Sequence, residues 1–164
     1  MRHEDQFEAV YAEHASRLFA FLAYRTGDRE LAEDLVAETF ERALRARERY
    51  DSRRGTGSWL YTIALNLLRD QGRRRVAEQR ALERAGAPVD GGATGGGLDF
   101  LDDRDLVMRA LKALSPEERD AVALRYGADL SAPEIAKLIG EPLTTVEGRI
   151  YRALRKLRER FEDE

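Results

Sequence analysis

Apolar residues recur at intervals of three and four through the first fifty residues. The first such stripe consists of Phe7, Val10, Tyr11, Leu18, Phe21 and Leu22. Gly27 and Asp28 interrupt the pattern, and Asp28 suits the N-cap of a following helix. A second stripe then runs through Leu31, Leu35, Val36, Phe40 and Leu44. Both spacings match the helical repeat and predict two amphipathic helices.

The segment WLYTIALNLLRDQGRRR, residues 59–75, predicts a third helix with two different faces. Thr62, Asn66, Arg69 and Arg73 follow one another at spacings of four, three and four, which places them on one polar face suited to phosphates and base edges. We interpret Trp59 as a core residue and Tyr61 as the better candidate for stacking on a base. The apolar stripe comprises Trp59, Leu60, Ile63, Ala64, Leu67 and Leu68.

Helical periodicity stops in the segment RAGAPVDGGATGGGLD, which holds 6 of the 13 glycines of the chain. This composition is typical of a flexible linker. We therefore predict a domain over residues 1–84, a linker over 85–100 and a second domain over 101–164. The sequence contains no strand pattern and no internal repeat, so the predicted fold is all-α, with two small helical domains.

The C-terminal domain carries three helix-start signals of the capping-box type, at residues 115–118, 131–134 and 144–147. Between the last two, the spacing of Ala136, Gly140 and Val146 is typical of a helix-turn-helix. Ala136 permits a close helix crossing, and Gly140 suits the left-handed end of the first helix. The predicted core around them consists of Ile135, Leu138, Ile139, Val146, Ile150 and Leu154.

The second helix of this motif would present a polar and basic face to the major groove of DNA. The outward residues are Thr144, Thr145, Glu147, Gly148, Arg149 and Arg152, and Arg155, Lys156 and Arg158 are placed to meet phosphates. The alternative is an ordinary helical hairpin with a solvated basic face. The coincidence of the helix-turn-helix spacing with clustered arginine favours DNA binding.

Composition narrows the class of protein further. The chain has 164 residues, no cysteine and a formal net charge of -3. The acidic residues crowd the second helix, while the basic residues cluster after Trp59 and near the C-terminus. His3 and His14 lack metal-ligand spacing, and no nucleophile–base pair or phosphate-binding loop is visible. We therefore expect no enzyme activity, no metal and no cofactor, and the absence of a signal peptide or apolar span predicts a soluble cytoplasmic protein.

Two separated segments resemble one protein family. The segments DRELAEDLVAETFERAL and GSWLYTIALNLLRDQGRRR resemble region 2 of bacterial RNA polymerase sigma factors. The segment LKALSPEERDAVALRYGADLSAPEIAKLIGEPLTTVEGRIYRALRKLR resembles their region 4. The order of the segments and the chain length are similar to those of the compact extracytoplasmic-function group.

This resemblance implies roles for particular residues. The core polymerase would dock on the second helix, at Asp34, Glu38, Glu41 and Arg42. The third helix and the loop before it would recognise and open the minus-ten promoter element through Arg53, Arg54, Ser58, Tyr61, Thr62, Asn66, Arg69, Arg73 and Arg74. The recognition helix would read the minus-thirty-five element through Thr144, Thr145, Glu147, Arg149, Arg152 and Lys156.

The chain departs from the pattern of many relatives at Ala37, where glutamine is frequent, and at Glu147 and Gly148, where a basic residue and a serine are frequent. The leading hypothesis is a sigma factor that binds core RNA polymerase and promoter DNA and that is inhibited by an anti-sigma protein. The alternative is a stand-alone helix-turn-helix regulator, which would leave the acidic second helix and the basic third helix unexplained.

Overall fold

The computed structural model describes residues 3–50, 55–86 and 102–163, with side chains from residue 5 in the first range and from residue 106 in the last. Within these ranges the chain forms seven α-helices and no strand, which confirms the predicted all-α fold. The helices are α1 (His3–Thr26), α2 (Arg29–Arg45), α3 (Thr56–Arg84), α4 (Asp102–Lys112), α5 (Pro116–Val122), α6 (Ala132–Ile139) and α7 (Leu143–Glu162). A 3-10 turn covers Arg47–Arg49, and a π-helical turn covers Ala123–Gly127. Most of the predicted linker lies outside the described residues.

The N-terminal helices form an antiparallel layer whose core matches the predicted stripes in large part. Asp28 caps α2 as predicted, since its carboxylate accepts a hydrogen bond from the backbone N–H of Leu31 at 3.1 Å. Tyr11 and Leu44 belong to the predicted apolar stripes but are exposed, at 48% and 41%. Both lie at the open edge between α1 and α2, where no third helix covers them. The buried side chains at the centre are Leu18, Phe21, Leu22, Leu35, Phe40 and Leu60.

The predicted helix starts of the C-terminal module are correct in two of three cases. The Ser115 hydroxyl accepts from the Glu118 N–H, and Ser131 and Glu134 form a complete capping box. The start predicted at Thr144 is wrong, because α7 begins at Leu143 with Pro142 as its N-cap and without a side-chain cap. Pro142 holds an extended backbone at φ -59° and ψ 146°, which leads directly into the helix.

The two modules pack against each other through the π-helical turn. In this turn the Ala128 N–H reaches the Ala123 carbonyl at 3.0 Å, five residues back. Gly127 then lies against α1, so that a Cβ at this position would approach the Phe21 Cα to 3.0 Å. Ala123, Leu124, Ile135 and Val146 join the core of the N-terminal helices, and Arg25 forms an ion pair with Asp120. A separate small core lies among α4, α5 and α7.

Two glycine-to-alanine variants should change stability in opposite directions. Gly140 ends α6 with φ 72°, so Gly140→Ala should lower the free energy of unfolding by about 1 kcal/mol, although no atom lies within 4 Å of the added Cβ. Gly72 lies inside α3 with open space around it, so Gly72→Ala should raise the free energy of unfolding by about 0.5–1 kcal/mol. Urea denaturation measures the free energy of unfolding of both variants. A change in the same direction for both would contradict the backbone argument.

Candidate nucleic-acid and protein interfaces

The polar face predicted on α3 is exposed along its whole length. Thr62, Asn66, Arg69 and Arg73 are all solvent-exposed, while Leu60, Ala64 and Leu67 on the opposite side are buried. The Thr62 hydroxyl donates to the Ser58 carbonyl at 2.8 Å, so it is already engaged with its own helix. Asn66, Arg69 and Arg73 therefore provide the side chains of this face that can reach another molecule.

The second half of α3 extends away from the rest of the protein. Residues 72–86 are all exposed, and a helix of this length projects by about 20 Å. Arginine is frequent along it, at positions 73, 74, 75, 80 and 84. The projecting helix continues the basic face at Arg69 and Arg73, and the combined surface is suited to following a phosphate backbone.

The aromatic residues near the start of α3 belong to the hydrophobic core. Trp59 is partly buried, and its ring lies 5.0 Å from that of Tyr50 at a tilt of 45°. Tyr61 is only 5% exposed and meets Phe21 edge-to-face at 5.7 Å, so a nucleic-acid base cannot reach its ring in this arrangement. Burial raises the pKa of Tyr61 to about 12, and nearby Arg17 opposes this shift.

The polar loop predicted before α3 is shorter in the structure than in the sequence interpretation. The helix begins at Thr56, so Gly57 and Ser58 lie in its first turn, and the N-cap Gly55 makes no side-chain cap bond. Ser58 is exposed there. Arg53 and Arg54, which we predicted to contact an opened DNA strand, lie outside the described residues.

The acidic residues predicted to meet the polymerase share the outer side of α2. Asp34 and Glu41 are exposed, and Glu38 and Arg42 are roughly half-exposed. Glu38 pairs with Arg42 at 3.0 Å, and Glu41 pairs with Arg45 at 2.5 Å. Exposed pairs of this kind contribute little to stability, typically about 0.3–0.5 kcal/mol, so their carboxylates can exchange partners readily.

An apolar groove of about 600 Å³ lies beside this acidic surface, between α1 and α2. Its walls include Phe7, Tyr11, Val36, Phe40 and Leu44, with Glu33 and Glu41 also in the lining. Sequence periodicity did not reveal the groove, because it identifies Tyr11 and Leu44 as members of apolar stripes without showing whether another helix covers them. Their helical register was right, but the edge of a two-helix layer leaves such positions open.

The helix-turn-helix packs as its spacing predicted. Val146 and Ile135 are fully buried, Ala136 is 9% exposed, and Gly140 adopts the left-handed conformation. Leu154 was predicted to belong to this core but is 37% exposed, because it lies on the outer side of α7. The other predicted core residues, Leu138, Ile139 and Ile150, are partly buried and pack against this core.

The polar residues of α7 differ in their freedom to contact DNA. Thr144, Glu147 and Arg152 are exposed, and the Arg152 guanidinium lies beside Gly148, 3.1 Å from where a Cβ would lie. Thr145 is partly buried. Arg149 pairs with Glu141 at 2.6 Å and is only 20% exposed.

Lys156 differs from the other predicted recognition residues. Its ammonium lies 2.8 and 3.0 Å from the two carboxylate oxygens of Glu118, which is itself 7% exposed. A buried carboxylate needs such a partner, so this pair holds α5 against α7. Sequence spacing alone did not reveal it, because the two residues lie 38 positions apart.

Within residues 3–50, 55–86 and 102–163, no cluster of histidine and acidic side chains is arranged to hold a metal ion. None of the helices in the described ranges combines the length and apolar character needed to cross a bilayer.

An exposed basic face on α3 and a helix-turn-helix in the other module are features typical of DNA-binding proteins. Family models match both parts: "Sigma-70 region 2" over residues 10–78 and "Sigma-70, region 4" over residues 104–157. The chain belongs to the extracytoplasmic-function (ECF) family of RNA polymerase sigma factors. It therefore acts as a sigma factor in promoter-specific transcription initiation.

Individual relatives show the extent of this similarity. The ECF RNA polymerase sigma factor SigL of Mycobacterium tuberculosis is 35% identical, over 92% of this chain and 85% of SigL. The ECF RNA polymerase sigma factor BldN of Streptomyces coelicolor is 31% identical over 93% of this chain, which spans 59% of the length of BldN. The solved structure of the sigma factor RpoE in complex with the anti-sigma factor NepR, from Bartonella quintana, is 26% identical with a TM-score of 0.78, covering 96% of this chain and 97% of RpoE.

The buried Tyr61 predicts a loss of stability in alkali. The folded-state pKa of about 12 exceeds the ordinary value of 10.0, so the folded protein binds the phenol proton of Tyr61 more tightly than the unfolded chain does. The contribution of the neutral phenol to the free energy of unfolding is therefore complete below pH 10 and is lost as the pH rises toward 12. At pH 11 the loss should be on the order of 1 kcal/mol relative to pH 9. Urea denaturation of the native chain and of Tyr61→Phe at both pH values isolates this contribution. An equal loss in the two proteins would show that Tyr61 is not its source.

Proposed function

We propose that this sigma factor contacts promoter DNA through two separate surfaces and the polymerase through a third. The observation that carries the proposal is the face of α3, where Asn66, Arg69 and Arg73 are exposed directly opposite a buried apolar stripe. This surface would recognise and open the minus-ten element. Arg53, Arg54, Ser58 and Arg74 extend the proposed contact around it, and the Thr62 hydroxyl, which donates to its own helix, can still accept a hydrogen bond there.

The second proposed DNA surface is the start of α7, which would read the minus-thirty-five element in the major groove. Thr144, Glu147 and Arg152 are the exposed candidates, with Thr145 and Arg149 beside them. Glu147 is free to accept a hydrogen bond from a cytosine amino group, since α7 begins without a side-chain cap. The pairing of Lys156 with the buried carboxylate of Glu118 supports a role for Lys156 in packing.

The third proposed surface is the acidic side of α2, where Asp34, Glu38, Glu41 and Arg42 would meet core RNA polymerase. An anti-sigma factor is a further proposed partner, supported by the likeness to RpoE in its complex with NepR.

We place the functional boundaries at residues 84 and 101, with a connecting segment between them. The protein would work in the cytoplasm beside the polymerase and would catalyse no reaction of its own.

Reconstituted transcription tests the proposal. The purified chain mixed with core RNA polymerase should give promoter-specific transcripts, and the chain alone should bind duplex promoter DNA weakly. The affinity for DNA should fall steeply with salt, because phosphate contacts release counterions. Tight, sequence-specific duplex binding without polymerase would instead support a stand-alone regulator.

Reversing charge on α3 should separate promoter opening from polymerase binding. We expect the double variant Arg69→Glu with Arg73→Glu to reduce open-complex formation by at least about tenfold, because two phosphate contacts of 1 kcal/mol or more are replaced by repulsion. Permanganate footprinting measures opening, and fluorescence anisotropy measures the affinity for core polymerase. Arg160→Glu, a single reversal at an exposed position in the last turn of α7, is the control, and it is compared with Arg69→Glu and Arg73→Glu made singly. Loss of polymerase binding in the double variant would contradict the proposed face.

A further inference from the structure

Four charged side chains connect the acidic surface of α2 with the basic face of α3. Glu38 accepts from Arg42 at 3.0 Å, and the other terminal nitrogen of Arg42 lies 3.9 Å from one carboxylate oxygen of Asp70. The second carboxylate oxygen of Asp70 lies 3.7 Å from Arg73. The charges therefore alternate along the row Glu38, Arg42, Asp70 and Arg73, and its two ends belong to two different proposed interfaces.

The contacts in this row are unequal. The bond between Glu38 and Arg42 has hydrogen-bond length, whereas both contacts of Asp70 are too long for direct hydrogen bonds. The Asp70 carboxylate therefore lies between two arginines and forms a direct hydrogen bond with neither. A movement of the Arg42 guanidinium by about 1 Å would bring it into hydrogen-bond distance of Asp70. All four side chains are at least two-fifths exposed, so they can rearrange without repacking the core.

We propose that Asp70 is a positioning residue that couples polymerase docking to the availability of Arg73 for DNA. While Glu38 holds Arg42, the Asp70 carboxylate attracts Arg73 and competes with phosphate for it. When a cationic group of the docking partner binds Glu38, the Arg42 guanidinium moves toward Asp70 and pairs with the Asp70 carboxylate. Arg73 is then released toward the DNA strand. This inference rests on the proposed roles of the two faces.

The expected size of the coupling follows from the exposure of the row. Exposed ion pairs change equilibria by about 1.4- to 5-fold, so the effect on DNA affinity should lie in the same range. An effect of this size adjusts affinity and does not act as an all-or-none switch. It would favour the order in which polymerase binds first and DNA second.

The first experiment removes the charge of Asp70 in the full-length chain. Asp70→Asn should tighten binding to a fluorescently labelled single-stranded DNA by about two- to fivefold at low salt, because Arg73 loses its competing partner. Glu78→Gln removes a carboxylate from the exposed, projecting part of the same helix and serves as the control for net charge. The gain from Asp70→Asn should exceed that of the control and should vanish in an Arg73→Gln background. An equal gain in the control, or a gain that persists without Arg73, would overturn the coupling.

The second experiment tests transmission from the other end of the row. Glu38→Gln should release Arg42 toward Asp70 and so tighten DNA binding, although Glu38 lies on α2 and the proposed DNA-binding face lies on α3. The gains from Glu38→Gln and Asp70→Asn should not add, because both act through Arg73. Additive gains, or no gain from Glu38→Gln, would overturn the proposal. Thermal unfolding of every variant confirms that the compared proteins are folded.

One outcome separates this inference from the proposed function. If Arg73→Gln alone leaves DNA binding and promoter opening unchanged, the proposed α3 face is wrong and the inference falls with it. If Arg73→Gln weakens both while Asp70→Asn has no effect, the face is supported and only the coupling fails.

Discussion

The packing of Phe21 is the contact on which the rest of the structure depends. This residue is fully buried near the C-terminal end of α1, with the Tyr61 ring on α3 to one side and the backbone of Gly127 pressed against its own backbone. Helix α1 is thus covered both by its own module and by the π-helical turn of the other. The absence of a side chain at residue 127 permits this approach, and the ion pair between Arg25 and Asp120 lies at the same junction.

Burial on one side determines what each interface helix can offer on the other. Since Leu60, Ala64 and Leu67 are held in the core, α3 cannot rotate, and its basic face remains directed to solvent. The same reasoning applies to α7, where Val146 and Ala153 are buried and Arg152 is left outside. Electrostatics then acts on helices whose orientation the core has already determined. This explains why weak surface pairs can adjust the interfaces without disturbing the fold.

The sequence predicted local features well and long-range contacts poorly. The all-α fold, the Asp28 cap, the Ser131 capping box and the left-handed Gly140 depend on neighbouring residues, and all were predicted correctly. The burial of Tyr61 depends on Phe21, forty positions away, so helical periodicity placed it on the wrong side. The pairing of Lys156 with Glu118 and the position of Asp70 depend likewise on how distant helices align. The exposure of Asn66, Arg69 and Arg73 agrees with the predicted face, whereas their roles in DNA binding stay predictions.

The shared core between the modules has a thermodynamic consequence. Separating the modules would hydrate apolar side chains such as Leu124, which is fully buried. Hydration of apolar surface carries a positive heat-capacity change, so the enthalpy of separation must rise with temperature. Any partner that holds the modules apart therefore has to offset a hydration cost that varies with temperature. Any separation of the modules would for this reason be sensitive to heat, even with no change in any charged group.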